Sequence, residues 1–288
     1  MNLRITICAM AALSVAGLIL LAGCDGDSPQ DPVPTARVQV MLIDAPANSI
    51  EQLHLRFDRV ELARRSAPVQ TILEGRELPE SVDVVAAGEN PVILGTVDLP
   101  VGTYTWANLG IDPDAEVNRV VTGDGAVHPL QYTPPRAESA NLNRPFRVRA
   151  GEDMTLLFDF VAAASITETP AACILEPRIF THYVERDVQF GSLSGVIREV
   201  DGEPLSAPTD QLLGVLLFEH ETDALVSLSE VDLNTGEFRI PAILPGRYDV
   251  VIQFATCDWQ RLGDPVFERD GLTVEPGQER DVEWELDL

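Results

Sequence analysis

Three acidic residues, Asp112, Asp114 and Glu116, stand at alternate positions, and a fourth, Asp124, follows in a glycine-flanked turn. A hard cation such as Ca2+ wants several oxygen ligands, and a loop can converge carboxylates on one point, so these four form a candidate cation-binding set. The spacing is not that of an EF-hand, and an acidic chain also places such clusters in solvent. A second acid pair is Asp44, at a strand-to-turn junction, and Asp159, inside an apolar run. Two carboxylates about 5 to 9.5 Å apart in one cleft, one in an apolar pocket, are the machinery of a glycan hydrolase. The competing role for each is to accept hydrogen bonds from turn backbone N–H groups.

Other catalytic patterns are incomplete. Gly191-Ser192-Leu193-Ser194-Gly195 has the outline of a nucleophile elbow but carries Leu at the centre, where the nucleophile belongs. His220-Glu221 begins like a zinc-protease motif, yet the second His is missing at the needed spacing. The four histidines, His54, His128, His182 and His220, are scattered, so a zinc site would have to be assembled by folding. Trp106, Trp259 and Trp284 with Tyr104, Tyr132 and Tyr183 could stack a sugar, although rings on strands usually fill cores. The expectation is therefore no catalytic residues and no firm metal site.

Charge narrows the partners. The chain has a formal charge of −26 and no lysine among its 20 basic residues. Such a charge repels nucleic acid and anionic headgroups and favours cations. An apolar content of 45% is that of a folded protein, and 288 residues allow two domains of ordinary size.

The N-terminus has one cation, Arg4, an uncharged run from Ile5 to Leu21, and the small pair Ala22-Gly23 directly before Cys24. That is the layout of a secretory signal peptide, residues 1–23. Leu21-Ala22-Gly23-Cys24 resembles the lipobox of bacterial lipoproteins. The resemblance implies cleavage between Gly23 and Cys24, acylation of the Cys24 thiol, and a lipid anchor in the bacterial cell envelope, facing the periplasm or in the outer membrane. Residues 24–35 read as a Pro-rich tether. Export leaves Cys173 and Cys257 in an oxidising compartment, where they form a candidate disulfide.

From residue 36 on, period two dominates. Val38, Val40 and Leu42 mark one strand; Leu53, Leu55 and Phe57, resumed by Val60 and Leu62 after a shift, mark another with a bulge. Hairpins are expected over Val117–Leu130, around Gly123-Asp124-Gly125, and over Phe146–Phe160, around Gly151. Helix is confined to short turns within Ser81–Ala87 or Phe160–Ile166. Beyond a boundary near 187–191, about seven further strands suggest a β-sandwich. Leu99–Tyr104 and Leu244–Tyr248 echo one another: Pro starts a turn, Gly supplies positive φ, and the Tyr hydroxyl can bond the corner backbone.

Two resemblances follow from these residues. Gly195-Val196-Ile197, Asp201-Gly202-Glu203-Pro204, Thr235-Gly236-Glu237-Phe238 and Leu244–Tyr248 resemble the carboxypeptidase regulatory-like family of transthyretin-type β-sandwiches, with a longer link at 206–211. Such modules pack on neighbours or bind ligands and do not catalyse. Leu42-Ile43-Asp44-Ala45-Pro46, the Leu99–Tyr104 corner, Leu156–Phe160 with Ala164-Ser165-Ile166, and Leu175–Ile179 resemble domain of unknown function 4382 of bacterial lipoproteins. That family implies an architecture and no reaction.

The expectation is an all-β chain: signal peptide and tether, then two tandem β-sandwich-like domains over 36–188 and 189–288. Its expected role is non-catalytic binding or scaffolding in the envelope, toward a polysaccharide, a protein partner or a divalent cation. A glycan hydrolase and a structural adhesin-type subunit are the alternatives.

Overall fold

Alternating apolar side chains make strands of nearly every element in the computed structural model. It describes residues 33–44, 50–88, 90–114, 116–132, 141–169, 172–185, 189–202, 205–208, 211–256 and 262–288. Gly23, Cys24, the tether as far as Pro32, Cys257 and Trp259 lie outside them. In chain order the strands of the first half are β1 (Thr35–Asp44), β2 (Ile50–Leu55), β3 (Phe57–Arg64), β4 (Val69–Glu74), β5 (Val82–Asp83), β6 (Val92–Pro100), β7 (Gly102–Ile111), β8 (Arg119–Thr122), β9 (Val127–Tyr132), β10 (Asn141–Val148), β11 (Asp153–Phe160), β12 (Ile166–Glu168), β13 (Cys173–Leu175) and β14 (Ile179–Glu185). One helical turn, α1 (Ala162–Ser165), follows β11 within the expected stretch, a 3-10 turn over Val85–Gly88 overlaps the other expected stretch, and a 3-10 turn over Gly75–Glu77 falls outside both. The second half adds β15 (Gly191–Glu199), β16 (Gln211–Glu219), β17 (Ala224–Glu230), β18 (Glu237–Ile243), β19 (Gly246–Thr256), β20 (Phe267–Val274) and β21 (Glu279–Leu286).

The first half folds three sheets around one core: β14-β11-β1-β6, β10-β7-β3-β4, and β12-β13-β9-β8-β2-β5. The shift in apolar phase after Phe57 is the expected bulge, seen as a register slip between Phe57 and Arg59 against β7. At Arg56 the chain also leaves one sheet for another, since β2 pairs with β8 while β3 pairs with β7. The β8–β9 hairpin forms as expected. The Phe146–Phe160 hairpin does not: β10 pairs with β7, whereas β11 pairs in parallel with β1 and antiparallel with β14. Gly151, at φ +72, turns a corner between sheets instead of closing a ladder. The two sheets still touch there, through Phe146 stacked on Tyr183 at 5.3 Å.

The second half is a seven-strand sandwich of β18-β15-β21 against β17-β16-β19-β20. Its core holds Leu193, Leu213, Leu217, Ile240, Val250 and Trp284 among others. The elbow-like Gly191–Gly195 stretch is plain strand in β15. At Gly195 a Cβ would lie 2.2 Å from the Val282 carbonyl oxygen, so glycine serves close approach of β21 and no nucleophile.

Two strands break the alternation. β11 is buried at seven consecutive positions and β16 at six. A strand buried on both faces needs a cover on each side. Leu156, Phe158 and Phe160 face the first core, while Val161 and Ala164 just beyond them pack with Leu216 and Leu228 of the sandwich. Burying an apolar side chain of this size contributes about 1.5–3 kcal/mol, so the two halves meet as a fixed seam. Residues 33–288 accordingly form one unit.

Candidate functional site at the seam

Register decides the fate of the acid pair. Asp44 lies opposite Phe160, and Asp159 opposite Ile43, on adjacent parallel strands. Side chains one step out of register project to opposite faces of a sheet, so Asp44 and Asp159 do not share a cleft. The paired-acid hydrolase geometry is corrected on that ground. Asp44 is fully buried and accepts the Ala162 backbone N–H at 2.8 Å, which anchors the turn after β11. Ser165 completes that turn, donating to the Val161 carbonyl at 2.7 Å and accepting the Arg178 N–H at 2.9 Å. Residues of the Leu42–Pro46, Ala164–Ile166 and Leu175–Ile179 motifs therefore hold one another; their chemistry is folding.

Asp159 is different. It is 3% exposed, and its Oδ2 accepts the Ser227 hydroxyl of β17 across the seam at 3.0 Å. Its Oδ1 has no hydrogen-bond partner among the described residues. Burial pushes the carboxyl up to about 7, against the opposing pull of Ser227. Asp159 lines a cavity of about 420 Å3, where the edge strand β14 meets the mouth of the second sandwich. From the first half come Thr181, His182 and Tyr183; from the second come Glu219, Thr222 and Tyr248 over a floor that includes Leu217 and Ile243. Burial also drives the His182 imidazole down to about 4, and its ring bonds the Val226 backbone. Thr222 donates to Glu219 at 2.5 Å at the cavity wall. No arginine among the described residues lines the cavity.

A bulge shapes one wall. Against β15, β18 slips between Ile240 and Ile243, and Ala242 takes φ +48 there. The Leu244–Tyr248 corner follows, with the Tyr248 hydroxyl donating to the Leu244 carbonyl at 2.6 Å. Its echo in the first half does the same, Tyr104 to Pro100 at 3.0 Å. Glycine departs from expectation at one corner: Gly102 lies at φ +154, while Gly246 is not among the positive-φ residues.

The remaining candidates serve elsewhere. Asp112 accepts the Asp114 N–H at 3.1 Å and faces Arg56 at 3.7 Å, which closes its own loop. Asp124 caps the β8–β9 turn, and bonds first from Thr122 and then from Ala126 hold its carboxyl below the usual range. Asp114 and Glu116 are exposed, and no three His, Cys, Asp or Glu side chains converge among the described residues. His220 bonds Asp249 at 2.6 Å and His54 bonds Gln52 at 3.1 Å, so the histidines stay apart. Two of the ring candidates go inward: Tyr104 stacks on Phe146, and Trp284 on Phe238, both pairs buried, while Trp106, Tyr132 and Tyr183 are half-buried. A sugar platform from Tyr104 and Trp284 is corrected on that ground. Cys173 is buried in β13, and its candidate partner Cys257 is outside the described residues.

Sequence reading named Asp159 but missed Thr181, Glu219, Thr222 and Ser227 as its company. The signal was available in the unalternating apolar runs Leu156–Phe158 of β11 and Val215–Phe218 of β16, each of which required a second cover.

Residues 35–177 match the model of the family described as Domain of unknown function (DUF4382). No curated protein matches the chain in sequence. Among solved structures, the chain is similar to the Bacillus anthracis TIE protein, at 10% identity and a TM-score of 0.23 over 88% of this chain and 35% of that one. It thus spans about a third of that protein's length. It is also similar to the minor pilin of Streptococcus agalactiae, at 13% identity and 0.22 over 86% and 95% of the two chains. For the major pilin subunit of Bacillus cereus the figures are 8% identity and 0.23 over 88% and 70%.

Proposed function

We propose that this protein is a lipid-anchored binding module of the bacterial envelope, non-catalytic, and that it takes a small ligand in the cavity at its seam. The observation that carries the reading is Asp159: a buried carboxyl with one oxygen held by Ser227 and the other unpartnered, at the wall of a cavity of about 420 Å3. A buried polar atom without a partner is costly, and a cavity of that size lined by apolar and polar side chains together can hold a small ligand. The anchor is supported by Leu21-Ala22-Gly23-Cys24, and the second sandwich is read as a carboxypeptidase regulatory-like module that seats the ligand against its neighbour. A divalent-cation role at the acidic loop stands behind this reading, since Asp112 and Asp124 are engaged in their own turns.

The test is a thermal-shift screen of small ligands on the full chain in detergent, with Val226→Trp alongside to fill the cavity with an indole. A ligand binding only the folded state raises Tm with concentration. Ligands that stabilise the wild type and leave Val226→Trp unmoved support the seam; ligands that shift both equally place binding elsewhere. The anchor is checked by labelled fatty-acid incorporation in cells, expected in the wild type and lost in Cys24→Ala.

A further inference from the structure

The polar groups at the seam cavity are unequal in sign. Among the described residues two carboxyl groups, Asp159 and Glu219, line it with one imidazole, His182, whose ring burial keeps uncharged. An anionic ligand would meet two acids and no cation, and it would cost more than it gained. A bare metal ion is also a poor fit, because no three acidic, His or Cys side chains converge among the described residues. What the seam holds is a buried carboxyl oxygen without a hydrogen-bond partner, on a residue that lines the cavity with Leu217, Val226, Ile243 and Leu244 and whose carboxyl must turn to meet a ligand there.

We infer that the seam cavity binds a small organic ammonium, a primary amine on an apolar body, whose cationic nitrogen sits on Oδ1 of Asp159. It rests on the reading of the seam as a ligand site and goes on to name the ligand's class. Geometry selects the ammonium over a guanidinium. A guanidinium fork binds a carboxylate best through both oxygens at once. Here Oδ2 is already taken by the Ser227 hydroxyl, so only a single-point donor is well served. A compact ammonium has three N–H donors, one for Oδ1 and others for oxygens that line the cavity from the second half, such as those of Thr222 and Glu219; Thr181 and Tyr183 project to the other face of the sheet. The aliphatic walls then bury the carbon body, which supplies affinity while the carboxylate supplies selection.

The proton count makes the inference distinctive. Asp159 is held up to about 7, so near pH 6 the empty site carries a carboxylic acid. An ammonium binds the carboxylate, and the Asp159 proton leaves to the buffer. Calorimetry on the full chain in detergent uses phenethylammonium, its neutral isostere 2-phenylethanol, and phenylacetate, on wild type, Asp159→Asn and Val226→Trp. The amine is expected to bind the wild type at least tenfold more tightly than the alcohol, and phenylacetate more weakly still. Asp159→Asn, which keeps the shape and the acceptor for Ser227, should lose at least tenfold for the amine and little for the alcohol. At pH 6 the measured heat for the amine should change with the ionisation enthalpy of the buffer, a readout that needs no variant. Equal binding of amine and alcohol, or an amine affinity unmoved by Asp159→Asn, overturns the ammonium. If the alcohol's binding is nevertheless lost in Val226→Trp, the seam remains a ligand site. If all binding survives Val226→Trp, both the ammonium and the seam are wrong.

Discussion

The molecule uses the same corner twice. Leu99–Tyr104 and Leu244–Tyr248 each carry the chain from one sheet to another, β6 to β7 and β18 to β19, and each is closed by a Tyr hydroxyl bonded to the carbonyl four residues back. Tyr104 is 1% exposed, stacked on Phe146 at 5.2 Å, and surrounded by the first core. Tyr248 closes the same turn but borders the cavity that Asp159 and His182 also line. A local device can therefore be identical while its surroundings decide whether it holds up a core or frames a site.

The largest expected contrast lies in truncating the two rings. Tyr104→Ala removes a fully packed aromatic and should cost about 3–5 kcal/mol, because the core cannot collapse onto the void. Tyr248→Ala removes a ring that is buried in the second core but borders the cavity on one side, and should cost less, roughly 2 kcal/mol. Urea unfolding monitored by tryptophan fluorescence measures both. Equal losses would mean that the cavity beside Tyr248 is filled in solution, and would break the contrast.

The next contrast is in pH dependence, which belongs to the second corner's surroundings alone. Asp159 ionises at about 7 in the fold against a reference of 3.8. Its contribution to stability is full below about pH 4 and is lost as pH rises to 7, on the order of 4 kcal/mol. His182 titrates at about 4 against 6.5. Its contribution is full above about pH 6.5 and is lost as pH falls toward 4, on the order of 3 kcal/mol. The two slopes oppose one another, so the wild type should be nearly level between pH 4 and 6.5. Asp159→Asn should expose the His182 slope, with stability rising with pH; His182→Gln should expose the Asp159 slope, with stability falling. Urea midpoints at five pH values decide it, and two variants that both keep the wild-type profile would sink the account.

Much of this architecture was legible in the residues, and what was not has a physical reason. Alternation found the strands, and the bulge after Phe57 and the β8–β9 hairpin followed from phase and glycine. Partners of β10 and β11 were not legible, since nearness in sequence favours a hairpin while the pairing is set by distant strands β7 and β1. The acid set Asp112, Asp114, Glu116 and Asp124 shows the converse weakness. Spacing can suggest a ligand set, but each Asp whose bonds are seen is satisfied by its own turn. Asp159 stood out as a lone acid in an apolar run, yet its partner Ser227 is 68 residues away, and only the packing of the two halves brings them together.

Smaller effects sharpen the comparison at the hydroxyls. Tyr104→Phe and Tyr248→Phe each delete one hydrogen bond and should each cost about 1 kcal/mol. Equal costs, read from urea midpoints, would make the corners interchangeable as devices even though their rings are not. A hydroxyl worth much more at Tyr248 would show that this corner depends on its bond more than on the packing of its ring in the second core.

The smallest effect should fall on the feature that only the second corner has. Ala242, six residues before Tyr248, sits at φ +48, while Asp98, six before Tyr104, lies in an extended strand. A left-handed alanine costs about 1–2 kcal/mol relative to its relaxed form. Glycine removes that strain but loses about 0.5–1 kcal/mol through the freedom it gains in the unfolded chain. Ala242→Gly should therefore stabilise by at most about 1.5 kcal/mol, a small rise in urea midpoint at unchanged slope. The same change should leave the bulge and the cavity in place, since the neighbouring strand β15 sets the register slip. A clear loss of stability would mean that the Ala242 methyl group, which lines the cavity, packs against something worth more than the strain. The wall of the seam would then be built by side-chain contact, and its odd backbone would be a consequence of that contact.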